Sequence, residues 1–174
     1  GGDPHFFGFG GTFFTWQAHC DVILLKSPKE YEDDTNLEVH IRTTKVRKWS
    51  KIDAIAFAAG DDIGEINSED AKLILNGREI DDLNNASFSV IKSKVRGKIY
   101  LYTFKFPKEK IMQVKVNTRS SMIYVTTKGR YPDGTQGLLG SPRNPGLVSR
   151  DGVKMQSKEV NAFGESWQVR DNDR

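Results

Sequence analysis

The sequence has few of the residues that form disulfides, catalyse reactions or bind metals. Its 174 residues include one cysteine and three histidines. A lone cysteine excludes an internal disulfide, and with it the framework that holds many small secreted domains together. No apolar run approaches the ~20 residues of a membrane-spanning helix, and the N-terminus lacks the pattern of a signal peptide. We therefore expect no membrane span, and we expect the chain to be a segment of a longer protein.

Net charge is small as well. The 26 basic and 23 acidic residues leave a net charge of +3, too little to predict a nucleic-acid-binding protein. The densest basic stretch runs from Lys45 to Lys51 and includes an aromatic residue, Trp49. It fits either the solvated end of a strand or a strip that binds phosphate or sulfate groups. Both interpretations remain open at the level of sequence.

Apolar and polar residues alternate with a period of two. Residues 37–42 and 112–117 show this pattern, which is typical of half-buried strands. Residues 98–106 are apolar or aromatic on both faces, which predicts a central or covered strand. Asn76-Gly77 separates two short apolar runs and predicts a β-hairpin. No convincing amphipathic helix is present. We therefore predict an all-β fold, an antiparallel β-sandwich of about ten or eleven strands.

The predicted strands cover most of the chain before residue 128. They lie near residues 12–18, 20–26, 36–46, 52–58, 62–66, 71–76, 78–80, 87–95, 98–106, 110–117 and 121–127. Residues 129–158 are rich in Gly, Pro, Asn and Asp, which predicts long surface loops. Phe163 and Trp167 are expected to dock the C-terminal tail on the core. Without repeats or a linker, residues 1–174 are expected to form one domain.

Residues suited to catalysis do not form a recognisable set. His19 and Cys20 are adjacent, and neighbours on a strand point to opposite faces, which works against a Cys–His nucleophile pair. Cys20 is better interpreted as a small buried apolar residue. No metal-ligand spacing and no phosphate-binding loop occurs. Asn85-Ala86-Ser87 is a glycosylation sequon, usable in a secreted protein. The sequence therefore predicts no enzyme of multiple turnover.

Covalent chemistry is indicated only at Asp3-Pro4-His5. The Asp3 carboxylate can attack its own carbonyl carbon, and the nitrogen of Pro4 is a comparatively good leaving group because it belongs to a tertiary amide. His5 can supply the proton near neutral pH. The alternative is a turn that leads into the first strand.

Several motifs in order resemble the von Willebrand factor type D domain family. The opening Gly-Asp-Pro-His and residues 13–24 are similar to its first hairpin, and residues 37–43 are similar to its next strand. Gly137-Leu-Leu-Gly-Ser141 stands where the family has Gly-Leu-Cys-Gly-Asn, and Asn161-Ala-Phe-Gly-x-x-Trp167 resembles its closing motif. The cysteine-poor form further resembles the GDPH domains of algal and diatom secreted proteins, some of them adhesive.

This resemblance implies properties that depend on single residues. Relatives bind calcium, but here Gly10 and Ser141 occupy two of the ligand positions, which leaves Asn144 and Asp151 as candidate ligands. Because Ca²⁺ takes 6–8 oxygen ligands, we expect no tightly bound cofactor. Cys20 would face Leu139, so the resemblance also implies packing in place of a cystine.

The function expected from the sequence is a secreted, non-enzymatic interaction or assembly module of an adhesive or matrix protein. Its expected partners are acidic polysaccharides or other matrix proteins, not nucleic acid. The candidate binding residues are Lys45, Arg47, Lys48, Trp49 and Lys51. The alternative comes from the resemblance, since some relatives cleave the Asp–Pro bond of this motif and then couple the new carboxyl end to other groups. Self-processing would break the bond between Asp3 and Pro4.

Overall fold

The computed structural model describes residues 4–173. The chain begins with two short antiparallel strands, β1 (His5–Phe7) and β2 (Phe13–Thr15). The sequence predicted a single strand over residues 12–18, and this was wrong in two respects: β2 is shorter, and β1 was missed. Both strands have three residues, too few for an alternating pattern to be read.

A six-stranded sheet follows, in which each strand pairs with its neighbour in sequence. Its strands are β3 (Asp21–Ser27), β4 (Leu37–Val46), β5 (Trp49–Ala59), β6 (Asp62–Asn67), β7 (Leu73–Leu75) and β8 (Arg78–Ile80). Leu37, Val39 and Ile41 are buried while their neighbours are more exposed, as the alternation predicted. The predicted hairpin at Asn76-Gly77 joins β7 to β8, and both residues have positive φ.

A five-stranded antiparallel sheet forms the second layer. Its strands are β9 (Leu83–Asn84), β10 (Ser89–Arg96), β11 (Ile99–Phe106), β12 (Lys110–Asn117) and β13 (Met122–Gly129), in the spatial order β13-β12-β11-β10-β9. The strand predicted to be central, β11, lies in the middle of this sheet, which confirms that prediction. At the other end, β13 forms an edge.

The core lies between the two sheets and is rich in aromatic rings. Phe57 of β5 meets Phe104 of β11 edge-on, with ring centroids 5.1 Å apart. Phe88 joins both rings, at 6.1 Å from each. Aromatic pairs in this range add stabilisation beyond the area that they bury. The all-β antiparallel sandwich predicted from the sequence is therefore confirmed.

The C-terminal segment differs from the prediction because it contains a helix. The predicted loops hold the short pair β14 (Leu147–Val148) and β15 (Lys154–Met155), and a 3-10 turn (Ser157–Glu159) leads from them into α1 (Val160–Ser166). A helix of seven residues is too short for its periodicity to stand out, and tertiary contacts hold it in place. Gly164 lets α1 pack closely against Trp16, since a Cβ at this position would lie 2.3 Å from an indole carbon of Trp16.

The tail after α1 is fastened to the first sheet. The N–H of Ile23 donates to the carbonyl of Trp167 at 2.8 Å, and the N–H of Val169 donates to that of Asp21 at 2.9 Å. Phe163 and Trp167 are buried, and the indole Nε1 of Trp167 donates to the carbonyl of Val148 at 2.9 Å. The structure therefore places both aromatic residues where the sequence predicted tail anchors.

A buried ion pair connects the loop before β4 to the second sheet. Nζ of Lys110 lies 2.6 Å from Oδ1 of Asp34, and the two side chains are 0% and 2% exposed. Lys110 also donates to the carbonyl of Thr35 at 3.0 Å, while the carboxylate of Asp34 accepts from the N–H groups of Glu30 and Thr35. Burial alone would raise the pKa of Asp34. These hydrogen bonds outweigh burial and hold the pKa of Asp34 below its usual value.

Candidate interaction surfaces

The first candidate site adjoins the Asp-Pro-His motif. Asp3 lies outside the described residues, Pro4 is buried, and His5 is exposed on β1. Nδ1 of His5 and Oγ1 of Thr15 are hydrogen-bonded at 3.0 Å, and the imidazole stacks on the ring of Phe13 at 5.6 Å. These two contacts fix the orientation of the imidazole beside the start of the described chain.

An apolar groove of about 360 Å³ lies beside this motif, and we call it the edge groove. Residues 4–7 and residues 122–126 of β13 line it. Leu24, Ile52 and Leu139 line it as well, and Lys51 and Lys115 are among its polar residues. The groove lies within the size range of sites that bind small ligands or short segments.

Large apolar side chains on this groove face solvent. Phe7 is 64% exposed, Phe13 55% and Tyr124 48%. The rings of Phe7 and Phe13 lie 5.1 Å apart and form a paired aromatic surface. Sequence reasoning missed this surface, although the signal was present: in the consecutive pairs Phe6-Phe7 and Phe13-Phe14, a strand must turn one ring outward.

The basic stretch forms the hairpin between β4 and β5. Arg47 and Lys48 occupy its turn, and Arg47 has a φ of 57°. Lys45, Arg47 and Lys48 are exposed, and none of them forms an ion pair with another of the residues 4–173. We call these three residues the basic tip.

The two remaining candidate residues, Trp49 and Lys51, lie on the other face of the hairpin from Lys45. Val46 is paired with Trp49, and Lys45 is paired with Ser50, so alternation separates the side chains. Trp49 is half-buried, and Nζ of Lys51 lies 4.0 Å from Oδ1 of Asp53. The predicted strip is therefore divided: Lys51 belongs to the edge groove, and the basic tip stands apart from it.

The residues at the positions that the resemblance links to calcium offer few side-chain oxygens. Oγ of Ser141 accepts a hydrogen bond from the N–H of Asn144 at 3.0 Å. Gly10 lies against Pro145, and a Cβ at Gly10 would be 2.5 Å from that ring. Asp151 is exposed in the turn between β14 and β15. One carboxylate and one amide do not fit an ion that takes 6–8 oxygens. Within residues 4–173, no group of three or more His, Cys, Asp or Glu is arranged to hold a metal.

Cys20 and Leu139 have different backbone hydrogen-bond partners. Leu139 is joined to Leu24 and Phe9 by backbone hydrogen bonds of 3.2 and 2.9 Å. Cys20 is half-buried against the core, and its carbonyl accepts from the N–H of Thr43 at 2.9 Å. Leu139 belongs to that core, and packing of Cys20 against Leu139 stays a prediction of the resemblance.

The predicted glycosylation sequon is at the surface. Asn85 is exposed, and its Oδ1 accepts from the N–H groups of Ser87 and Phe88 at 2.8 and 3.0 Å. This geometry places Asn85 in a turn before β10.

Comparison with known families accounts for the fold. The sequence model of the von Willebrand factor type D domain family matches residues 1–143, which include all strands of both large sheets. Among curated proteins no sequence matches this chain. None of the helices within residues 4–173 is long and apolar enough to cross a membrane. Domains of this family are generally non-enzymatic modules of extracellular proteins, where they mediate adhesion and assembly. With its sandwich of antiparallel sheets and this match over most of its length, the chain belongs to the von Willebrand factor type D domain family.

Proposed function

We propose that this domain binds acidic polysaccharides of an extracellular matrix through its basic tip. The observation that supports the proposal is the exposure of Lys45, Arg47 and Lys48 at one tight turn, without a carboxylate partner among the described residues. Unpaired cations that project from a rigid hairpin attract polyanions at long range. Trp49 begins the next strand, half-buried, and its indole offers an apolar surface for the face of a sugar ring.

The test compares two basic hairpins of the same molecule. Replacement of Lys45, Arg47 and Lys48 by Gln removes three charges from the basic tip. Replacement of Lys94, Arg96 and Lys98 by Gln removes three charges from the exposed hairpin between β10 and β11. Binding to an alginate column, measured as the salt concentration for elution, is expected to fall much further for the first variant. Equal losses would show attraction to overall charge and would refute the assignment to the basic tip.

A second measurement separates polysaccharides from acidic proteins. Polyglutamate carries the same carboxylate charge as alginate but has no sugar ring, so the proposal expects it to bind more weakly. Trp49→Ala should reduce alginate binding while it leaves polyglutamate binding nearly unchanged. If polyglutamate binds at least as tightly as alginate, the partners are acidic segments of neighbouring chains instead.

Self-processing at the Asp3–Pro4 bond is a second candidate function, favoured by the fixed orientation of His5. In this reaction the Asp3 carboxylate attacks its own carbonyl carbon and forms a cyclic anhydride while the bond to Pro4 breaks. The departing nitrogen takes a proton, and His5, the residue after Pro4, is the proposed donor. Water then opens the anhydride to a free carboxyl end, or an amine of another molecule opens it to an amide.

Intact-mass measurement tests this second function. A chain extended upstream of Gly1 is incubated from about pH 5 to about pH 8, the range in which imidazole titrates, beside its Asp3→Ala variant. A fragment that begins at Pro4 and is absent from the variant would establish self-processing. Thr15→Val should slow its formation, because it removes the hydroxyl that orients His5 at 3.0 Å. An unbroken chain throughout this range would reject self-processing.

A further inference from the structure

The strand β13 presents a long open edge. It has eight residues, whereas strands average about 5–6. Its ladder is with β12, and within residues 4–173 no other backbone hydrogen bond or bridge reaches residues 122–128. Free N–H and C=O groups on an apolar edge are a template for another strand, and proteins usually cover or shorten such edges. The unpaired edge of β13 is therefore a candidate site for the addition of another strand.

A second strand with an unpaired edge lines the edge groove. β1 pairs with β2 on one side only, and among the described residues no backbone bond joins its other side to a strand. Residues 4–7, which include β1, and residues 122–126 of β13 both line the groove. Two strands with unpaired edges therefore meet at this groove, and the five residues of β13 span roughly 16 Å.

The residues that line the edge groove favour a peptide with both acidic and apolar side chains. Phe7, Phe13 and Tyr124 give the groove an exposed aromatic rim. Lys51 and Lys115 line the groove, and no Asp or Glu does. Nζ of Lys115 lies 5.0 Å from the ring centroid of Tyr124, so its charge is held at the rim. Lys115 and Tyr124 are cross-strand partners and share one face of the sheet. Acidic side chains of an added strand would lie on that face beside Lys115, and apolar side chains would lie on the other face, with Leu24, Ile52 and Leu139 of the groove lining.

We propose that an extended peptide segment with alternating acidic and apolar residues adds to the edge of β13 and fills the edge groove. Main-chain hydrogen bonds to residues 122–126 provide affinity, and the side chains of the edge groove determine which peptide sequences bind. This site is separate from the basic tip and independent of the polysaccharide proposal. The open strand edges favour a peptide over a glycan, since a sugar chain has no regular row of N–H donors to pair with them.

The experiment uses a synthetic peptide of about six residues, long enough to span the edge groove, in which Glu alternates with Val or Phe. We expect it to bind and to shift the NMR signals of residues 5–7 and 122–126, while the same peptide with Lys in place of Glu does not. Only one edge of a strand pairs with β13. Methylation of alternate peptide nitrogens should therefore weaken binding much more in the set of positions that faces β13 than in the other set.

Matched variants locate the site. Tyr124→Ser and Lys115→Gln should each raise the Kd of the peptide by about tenfold or more, as is typical of truncating an anchor residue. Their controls are Ile91→Ser and Lys105→Gln, which change an exposed apolar residue and an exposed lysine elsewhere on the same sheet. Circular dichroism of each variant confirms that the fold is retained.

Four results would overturn the proposal. They are equal loss in the control variants, indifference to both methylation patterns, tighter binding of an alginate oligosaccharide in the same groove, and a dimer in sedimentation that Tyr124→Ser converts to monomer. The last two would identify a glycan or a second copy of this chain as the occupant. Neutralising the basic tip leaves peptide binding unchanged, so failure of the polysaccharide proposal does not affect this test.

Discussion

Replacement of Asp34 by Asn is expected to cost about 3–5 kcal/mol of folding free energy. The reason is the environment of Lys110, whose side chain is 0% exposed. With a neutral partner, its ammonium group remains buried and keeps only the carbonyl of Thr35, at 3.0 Å, as an oriented acceptor outside residue 34. Asn retains one oxygen, which can still accept from the N–H of Thr35, while its NH2 group takes the place of the oxygen that accepts from Glu30. The loss therefore includes one backbone hydrogen bond as well as the charge.

The double variant Asp34→Asn, Lys110→Met separates the ion pair from its two members. Lys110→Met alone leaves the carboxylate of Asp34 buried with backbone donors only, and it should cost about as much as Asp34→Asn. Together the two changes remove both charges and leave an apolar chain of similar length. We therefore expect the double variant to lose much less than the sum of the single variants, with a coupling energy of about 2 kcal/mol or more.

Urea denaturation followed by tryptophan fluorescence measures these free energies. The control is Glu109→Gln, because Glu109 and Arg130 form an ion pair of 3.3 Å whose side chains are 71% and 87% exposed. An exposed pair contributes about 1 kcal/mol at most. The buried charges of Asp34 and Lys110 do not control stability in the way described if Asp34→Asn costs no more than Glu109→Gln. The same conclusion follows if the losses from Asp34→Asn and Lys110→Met simply add in the double variant.

The Asp34–Lys110 pair also makes the folding free energy depend on pH in the acidic range. Because the folded pKa of Asp34 is lowered, its contribution is fully present above the unfolded pKa, about 3.9, and is lost as the pH falls through the folded pKa. Wild-type protein should therefore lose more stability on acidification below about pH 4 than the double variant does. Equal loss in both proteins would show that other carboxylates dominate acid unfolding.

Three further predictions concern the tail, the thiol and calcium. Trp167→Ala should cost about 3–5 kcal/mol because the buried indole anchors the C-terminal segment, and unchanged stability in urea would show that the tail is dispensable. Cys20→Ala should lower stability only by lost packing, and a melting temperature that responds to reductant would reveal pairing between chains. Calcium or a chelator should leave the melting temperature unchanged, and Gly10→Asp should destabilise the protein without creating a response, because Pro145 occupies the space; a rise with calcium in either protein would contradict this.

The positions of most large strands could be predicted because their signals are local. The alternation in β4 and β12 follows from the two-residue period of a strand, and Asn76-Gly77 is a turn that its two residues can specify by themselves. The central position of β11 was predictable for a related reason, since a strand with apolar residues on both faces needs neighbours that cover them.

Short elements could not be predicted in this way. β1 has three residues and α1 has seven, and neither is long enough for a periodic pattern. α1 exists because the indole of Trp16 packs against Gly164, a contact between residues far apart in sequence. Lys110 appeared as the polar first residue of a strand, and only the position of the loop that carries Asp34 explains its burial.

Residue patterns and motif order were sufficient to predict the all-β class, the hairpin at Asn76-Gly77 and the family. Tertiary structure alone decided the sites. It divided the basic stretch between the basic tip and the edge groove. It also brought residues of β1 and β13, two strands with unpaired edges, to one groove. The physical reason is that a strand's own sequence fixes which side chains share a face, whereas its neighbours are fixed by how the sheets pack.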